Sequence, residues 1–232
     1  MSGLAPNPIG VEALDDHTTE PEVVRATLAD IVRSNRWFGG RAAVARGVDR
    51  LSATLARPIT VLDVGAGAGD IVGYLADQVA RRGGRLTPIA VERHPEAARL
   101  CRARGVATVL ADGGFLPMGA GSVDIVVASQ LLHHLERAAA IQVARELDRV
   151  ARIGVVIADL RRSATAELGI WLASYLMAFH PVSRHDGVLS VRRGFTAPEL
   201  AGLLADAGVV AHVERRPQFR LLATWRSDRA GR

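Results

Sequence analysis

From residue 58 onward, short apolar runs alternate with stretches whose apolar positions recur every three or four residues. The runs Ile59–Val64, Leu86–Val91, Val106–Leu110, Val123–Ala128 and Ile153–Ala158 predict buried strands. Helices are predicted between them, at about Gly69–Arg82, Pro95–Arg104 and from after the fourth strand through about Ala151. This alternation predicts a doubly wound parallel sheet with helices on both faces. Upstream, Val23, Val24, Leu28, Ile31 and Val32 share a helical face behind Pro21, and that helix stops near Gly39-Gly40. A second helix runs from about Arg41 to Arg57 and ends at Pro58. Residues 1–20 read as a loose arm, so 1–57 is expected to be an arm and a helical cap on a core of 58–232.

The tail breaks the pattern. Residues 160–195 read as an insertion at the ligand end of the sheet. Its helix Ala164–Phe179 is apolar nearly all round, so both faces should be covered, as a lid, a core element or a homodimer contact. A helix over Thr196–Ala207 opens on the capping box Thr196-Ala-Pro-Glu199. Two final strands, Val209–Arg215 and Gln218–Trp225, turn at Pro217 and should pair antiparallel. The expected fold class is α/β, with a mostly parallel seven-stranded sheet and an antiparallel C-terminal strand.

Composition narrows the class. With 49% hydrophobic and 23% charged residues in 232, the chain is an ordinary globular one that fills a core unaided. A single cysteine, Cys101, excludes an internal disulfide and a cysteine-based zinc site. The net charge of +5 would suggest nucleic acid, but every basic side chain is Arg, the arginines are dispersed, and aromatics are only 4%. Nucleic acid is therefore not expected as a partner. Neither a signal peptide nor a membrane span is read from the sequence, so a cytoplasmic protein is expected.

The first core strand runs into Asp63-Val-Gly65-Ala66-Gly67-Ala-Gly69-Asp70, and a helix follows. Alternating glycines let a ligand approach the backbone at a strand's C-terminal end, where open parallel sheets bind ligands. A dinucleotide loop would place its third glycine at Asp70, and a phosphate loop needs a lysine the chain lacks. Acids at Asp63 and Asp70 also disfavour a pyrophosphate. They suit a ligand with a cationic centre and a ribose.

This segment resembles the glycine signature of class I S-adenosylmethionine-dependent methyltransferases, which are Rossmann-like. The similarity extends over about residues 59–160, through Glu92, Asp112, the stretch Leu116-Pro-Met118 to Val126, and Ser129-Gln-Leu-Leu-His133-His134-Leu135. The last stretch resembles the ubiquinone/menaquinone-type small-molecule branch. The resemblance implies S-adenosylmethionine as cofactor. It implies that the amides of Gly65, Gly67 and Gly69 meet the cofactor carboxylate, with Ala66 and Arg93 beside them. Asp63 would hold the loop, Glu92 would take the ribose hydroxyls, Asp112 and Gly113 would take the adenine, and Ser129 would lie near the methyl group. It also implies that the cap folds over the cofactor, with Arg36 pairing with its carboxylate.

A hydroxyl or amine acceptor must lose a proton, and His133 or His134 is a candidate base at the fourth strand's end. Adjacent histidines should diverge, so one at most is expected in the site, and no metal is expected there. His185, in Arg184-His-Asp-Gly187, is a further candidate, although that tetrad reads as a turn. The expected function is methylation of a small, largely apolar acceptor, foremost an aromatic or polyketide-like hydroxyl. Quinol C-methylation, an inactive cofactor-binding protein, an RNA or protein methyltransferase and a nicotinamide oxidoreductase are the alternatives.

Overall fold

The computed structural model describes residues 12–16, 18–53 and 58–228. The cap is α1 (Pro21–Trp37) and α2 (Gly40–Ser52); the expected extension of α2 over 54–57 lies outside the described residues. The core then runs β1 (Ile59–Val64), α3 (Asp70–Arg81), β2 (Leu86–Glu92), α4 (Pro95–Ala103), β3 (Ala107–Leu110), β4 (Val123–Ser129), α5 (Arg137–Val150) and β5 (Ala151–Leu160). A short 3-10 turn, Leu132–His134, separates β4 from α5. The tail is α6 (Ala164–Leu176), α7 (Pro181–Arg193), α8 (Ala197–Asp206), β6 (His212–Arg216) and β7 (Arg220–Arg226). Strand order is β3-β2-β1-β4-β5-β7-β6. The first five strands are parallel, and β7 runs antiparallel to both β5 and β6.

Side-chain alternation along each strand feeds two cores, one on each face. Val126, Val155, Ile157 and Leu221 pack beneath α5 and α8, whereas Ile125, Val127, Val156 and Leu222 pack beneath α2 and α3. The capping box of α8 forms as read: the Thr196 hydroxyl accepts from Glu199 N and the Glu199 carboxylate accepts from Thr196 N. Pro95, Pro181 and Pro21 each open a helix, where a missing N–H costs nothing. No described helix is long and apolar enough to cross a membrane.

Three expectations need correction. Arg184–Gly187 is no turn but the middle of α7, a helix the sequence pattern did not show. Asp and Gly favour turns only where no tertiary contact outweighs the propensity, and here buried Asp186 and Leu189 anchor the helix. Secondly, within the single chain α6 is covered on one face only, and neither as a lid nor as a core element does it have both faces covered: Leu168, Trp171, Leu172, Tyr175 and Leu176 are exposed. Thirdly, residues 12–16 of the expected loose arm are folded against α7, with Ala13 N donating to Asp186 at 3.0 Å.

Gly154 marks the tightest backbone approach in the sheet, since a Cβ there would lie 2.3 Å from the Trp225 carbonyl oxygen. Gly154→Ala is expected to lower stability by about 1–3 kcal/mol in urea titration. Wild-type stability in that variant would show that the β5–β7 contact can relax.

Candidate active site

The C-terminal tips of β1, β2, β4 and β5 open into one cavity of about 430 Å³. Its floor is the glycine loop. Gly65, Gly67 and Gly69 all adopt left-handed φ, at 72°, 54° and 73°. That geometry folds the loop back on itself, and it uses up the glycine amides. Gly65 N donates to Val91 O, Gly67 N to Glu92 Oε2 and Gly69 N to Ala66 O, each within 2.8–2.9 Å. The three N–H groups are therefore committed inside the protein, contrary to the expectation that they meet a cofactor carboxylate. Gly65, Ala66 and Gly67 line the cavity, whereas Gly69 instead packs on Cys101.

Acids ring this floor. Asp63 is buried at the end of β1, and neither carboxylate oxygen has a hydrogen-bond partner among the described residues. Burial, with the charges of Asp70 and Glu92 nearby, pushes its carboxyl well above the ordinary range. Glu92 bridges two loops, accepting from Gly67 N through Oε2 and from His94 N through Oε1, both at 2.8 Å. A carboxylate has about four lone-pair sites, so half of its capacity faces the cavity unused. Asp112 is exposed at the rim and accepts from Gly114 N at 2.7 Å, with Gly113 beside it. Ser129 lines the cavity with a buried, unpartnered Oγ. Arg93 stands at the rim, 3.5 Å from Asp15.

Asp70 opens α3 and is buried. Burial raises its pKa, although Arg41 at 3.2 Å and Asn35 pull the other way. The Asn35 contact starts a relay: Gln130 Nε2 donates to Asn35 Oδ1 at 2.6 Å, and Arg220 Nη1 donates to Gln130 Oε1 at 2.7 Å. Arg36, expected to pair with the cofactor carboxylate, points outward, 5.6 Å over the Trp37 ring, and does not line the cavity. One residue along an α-helix turns a side chain by about 100°, so Asn35 faces inward where Arg36 cannot.

Both His133 and His134 line the cavity, with ring centroids 4.2 Å apart, so the expected divergence does not occur. The 3-10 turn brings them together where a strand would have separated them. His133 is buried, its Nδ1 2.6 Å from Asp159 Oδ1 and its Nε2 without a hydrogen-bond partner. Asp159, at the tip of β5, also accepts from Leu132 N and Leu160 N. Its burial opposes the charged form, yet the His133 charge and hydrogen bond, with the Leu160 amide and the His134 charge, hold its pKa below the ordinary value. His134 faces Asp15, 3.1 Å away, and Glu12, 3.8 Å away. Burial disfavours its cation, but the Asp15 contact and the charges of Glu12 and Asp159 raise its pKa overall. His185 lies on the outer side of α7, mostly exposed, and does not reach the cavity.

Glu12, His133 and His134 place one ligand-type atom each within 4.8 Å. Arg193 already supplies a cation there, 3.2 Å from both Glu12 and Asp15. The roof is apolar, built from Ile170 and Phe179 of the α6 segment, Val191 of α7 and Leu28 of α1.

Sequence reasoning missed Asp159, Asn35, Gln130 and Arg220. Asp159 was detectable, being an acid at a parallel strand's C-terminal tip like Asp63 and Glu92. Asn35, Gln130 and Arg220 meet only through the tertiary fold.

Residues 61–154 match the family model described as a methyltransferase domain. No curated protein matches the sequence. Among solved structures, an S-adenosylmethionine-dependent methyltransferase from Aquifex aeolicus superposes with a TM-score of 0.60 at 17% identity, covering 90% of this chain and 98% of that one. PigF with S-adenosylhomocysteine gives 0.63 at 17% identity, over 93% of this chain and 62% of that one. Magnesium protoporphyrin IX methyltransferase from Synechocystis with bound S-adenosylmethionine gives 0.54 at 13%, over 85% and 84%. The methyltransferase-domain match thus falls within a seven-stranded sheet whose fold these solved structures share.

Proposed function

We propose that this protein methylates a hydroxyl on a small, largely apolar acceptor, with His133 as the base. The observation that carries this reading is the His133–Asp159 pair, whose free Nε2 sits in the wall of an apolar-roofed cavity. The residues on the floor fit the cofactor. Asp63 and Ser129 present buried polar atoms with no partner, and Glu92 keeps unused acceptor capacity. Glu92 would hold the ribose, Asp112 and Gly113 the adenine, and Asp63 a cationic group of the amino-acid portion. Bound S-adenosylmethionine supplies an electrophilic methyl group on a sulfonium.

The protein's own part is alignment, proton removal and dryness. Asp159 is held as an ionised acceptor, so a neutral His133 ring would donate from Nδ1 and keep a lone pair on Nε2. That lone pair can take the acceptor's hydroxyl proton as the oxygen attacks. The buried carboxylate then faces the imidazolium that forms. His134 has a different task. Held as a cation by Asp15 and Glu12, it latches residues 12–16 across the cavity, together with Arg193 and Ser190. The α6–α7 hairpin is the lid. Its inward residues give the acceptor an apolar surface and exclude water.

Transfer of labelled methyl from S-adenosylmethionine to a panel of phenols, with product NMR, tests the reading. His133→Ala should lower turnover by about a hundredfold or more. Asp159→Asn should lower it by less, and His185→Ala should leave it unchanged. Full activity in His133→Ala, or a new methyl on carbon rather than oxygen, would refute the assignment. Glu92→Ala should weaken S-adenosylhomocysteine binding by on the order of ten- to a hundredfold in calorimetry. Unaltered affinity would place ribose recognition elsewhere.

The latch sets a pH dependence. Its His134 part is complete below the ordinary imidazole value of 6.5 and is lost as pH rises through the raised folded value. Its Asp15 part is complete above the ordinary carboxylate value of 3.8 and is lost as pH falls through the lowered folded value. The difference in Tm between wild type and His134→Gln should therefore be greatest between pH 3.8 and 6.5 and close at alkaline pH. A gap that widens with rising pH would contradict the ion pair.

A further inference from the structure

Arg220 opens β7 and is 3% exposed, but no carboxylate forms an ion pair with it among the described residues. Its Nε donates to the Phe38 carbonyl at 3.0 Å and its Nη1 to Gln130 Oε1 at 2.7 Å, both neutral acceptors. Its Nη2 makes no hydrogen bond among the described residues, and the residue lines the cavity. A buried cation left this way is costly unless an anion completes it. Burial pushes the guanidinium down to about 10, with Asp159's charge pulling the other way.

The surrounding backbone is strained. Gln130, Gln218 and Phe219 hold left-handed φ of 54°, 53° and 55° without being glycine, and all three line the cavity beside Arg220. Such strain persists where the surroundings over-determine it, and it gathers at ligand clamps. Here it aims a glutamine oxygen at one edge of the guanidinium and leaves the other edge open.

Among the described residues, the rest of the cavity lining offers no comparable arginine. The glycine amides are committed, and Arg36 points away. Arg41 is paired with Asp70, and Arg93 faces Asp15. We infer that Arg220 is the carboxylate-binding residue of this cavity, held by Gln130 and the Phe38 carbonyl so that Nη2 faces the ligand. This rests on the methyltransferase reading. The carboxylate belongs either to the amino-acid portion of the methyl donor or to the acceptor, and the guanidinium fork serves both.

Calorimetry on the wild type, Arg220→Lys and Arg220→Gln separates the sources. The first pair of probes is S-adenosylhomocysteine and 5′-methylthioadenosine, which lacks the amino-acid carboxylate. The second is 4-hydroxybenzoate and 4-hydroxybenzamide, titrated into protein saturated with S-adenosylhomocysteine. For a donor carboxylate, Arg220→Gln should weaken S-adenosylhomocysteine by roughly tenfold to a hundredfold and leave 5′-methylthioadenosine unchanged. For an acceptor carboxylate, S-adenosylhomocysteine is unchanged, and the wild type's preference for the benzoate over the benzamide is lost in the variant. Arg220→Lys, which keeps the charge, should fall between. Both probe pairs can be compared on the wild type alone, so each arm keeps a readout even if Arg220→Gln does not fold. The inference is overturned if both variants bind every probe as the wild type does, or, where neither folds, if the wild type prefers neither S-adenosylhomocysteine over 5′-methylthioadenosine nor the benzoate over the benzamide. Failure of the wild type to bind either adenosyl probe overturns the methyltransferase reading, and this inference with it.

Discussion

A carboxylate at the bottom of a protein must be surrounded by donors or it will not stay charged. Asp159 meets that demand at the tip of β5 with three contacts, from His133 and from the amides of Leu132 and Leu160. Two of them reach out of its own strand into the segment after β4, so the carboxylate ties β5 to the 3-10 turn. The turn, in its turn, decides the site. It buries Leu132 in the core under α5, sets both histidine rings against the cavity and leaves one imidazole nitrogen unsatisfied. With no acid at this strand tip, the buried His133 ring would have no side-chain acceptor for its N–H, and nothing would fix its tautomer.

The same constraint runs across the sheet. Parallel strands place their carboxyl ends together, and this chain puts an acid at or just past several of those ends. Each is treated differently. Asp159 is held ionised by donors, Glu92 bridges two backbone amides, and Asp63 has neither and shifts toward its neutral form. Three carboxyls in similar positions thus end in three different environments, set by what each neighbouring loop donates.

Strands β1, β4 and β5 were legible because burial on both faces writes an apolar run, and β1 was read to the residue, whereas β3 carries such a run although it is a largely exposed edge strand. The α8 capping box was legible because its two partners are three residues apart. The glycine loop could be placed, but not the direction of its amides: Glu92 and Val91 capture two of them from the next strand, a contact no spacing within the loop encodes. The middle of α7 was hidden for a similar reason. His-Asp-Gly is a turn by local preference, and tertiary contacts hold the helix, among them the burial of Leu189 and Val191 and the bond from the Ala13 amide to Asp186, 173 residues away. Arg220 was read simply as part of a terminal strand. Its burial depends on the end of α1 coming down over β7, which brings the Phe38 carbonyl within reach of its Nε.

The charges inside the cavity are therefore sorted by position. Acids crowd the tips of β1 and β2, where the adenosyl portion of a donor would lie. The buried cation comes from β7, three strands away in the sheet, and its side chain reaches back to Gln130 at the tip of β4. The histidine pair stands between, under an apolar roof carried by the α6–α7 hairpin. Every charged group at the acceptor end is fixed by a bond to backbone or to another side chain before any ligand arrives, which keeps the cost of reorganisation during transfer low. An acceptor entering this space loses its hydration against apolar walls and meets a few fixed polar groups. On the proposed reading its orientation would be decided by where those groups stand, so a hydroxyl facing His133 Nε2 would be selected by geometry rather than by intrinsic reactivity.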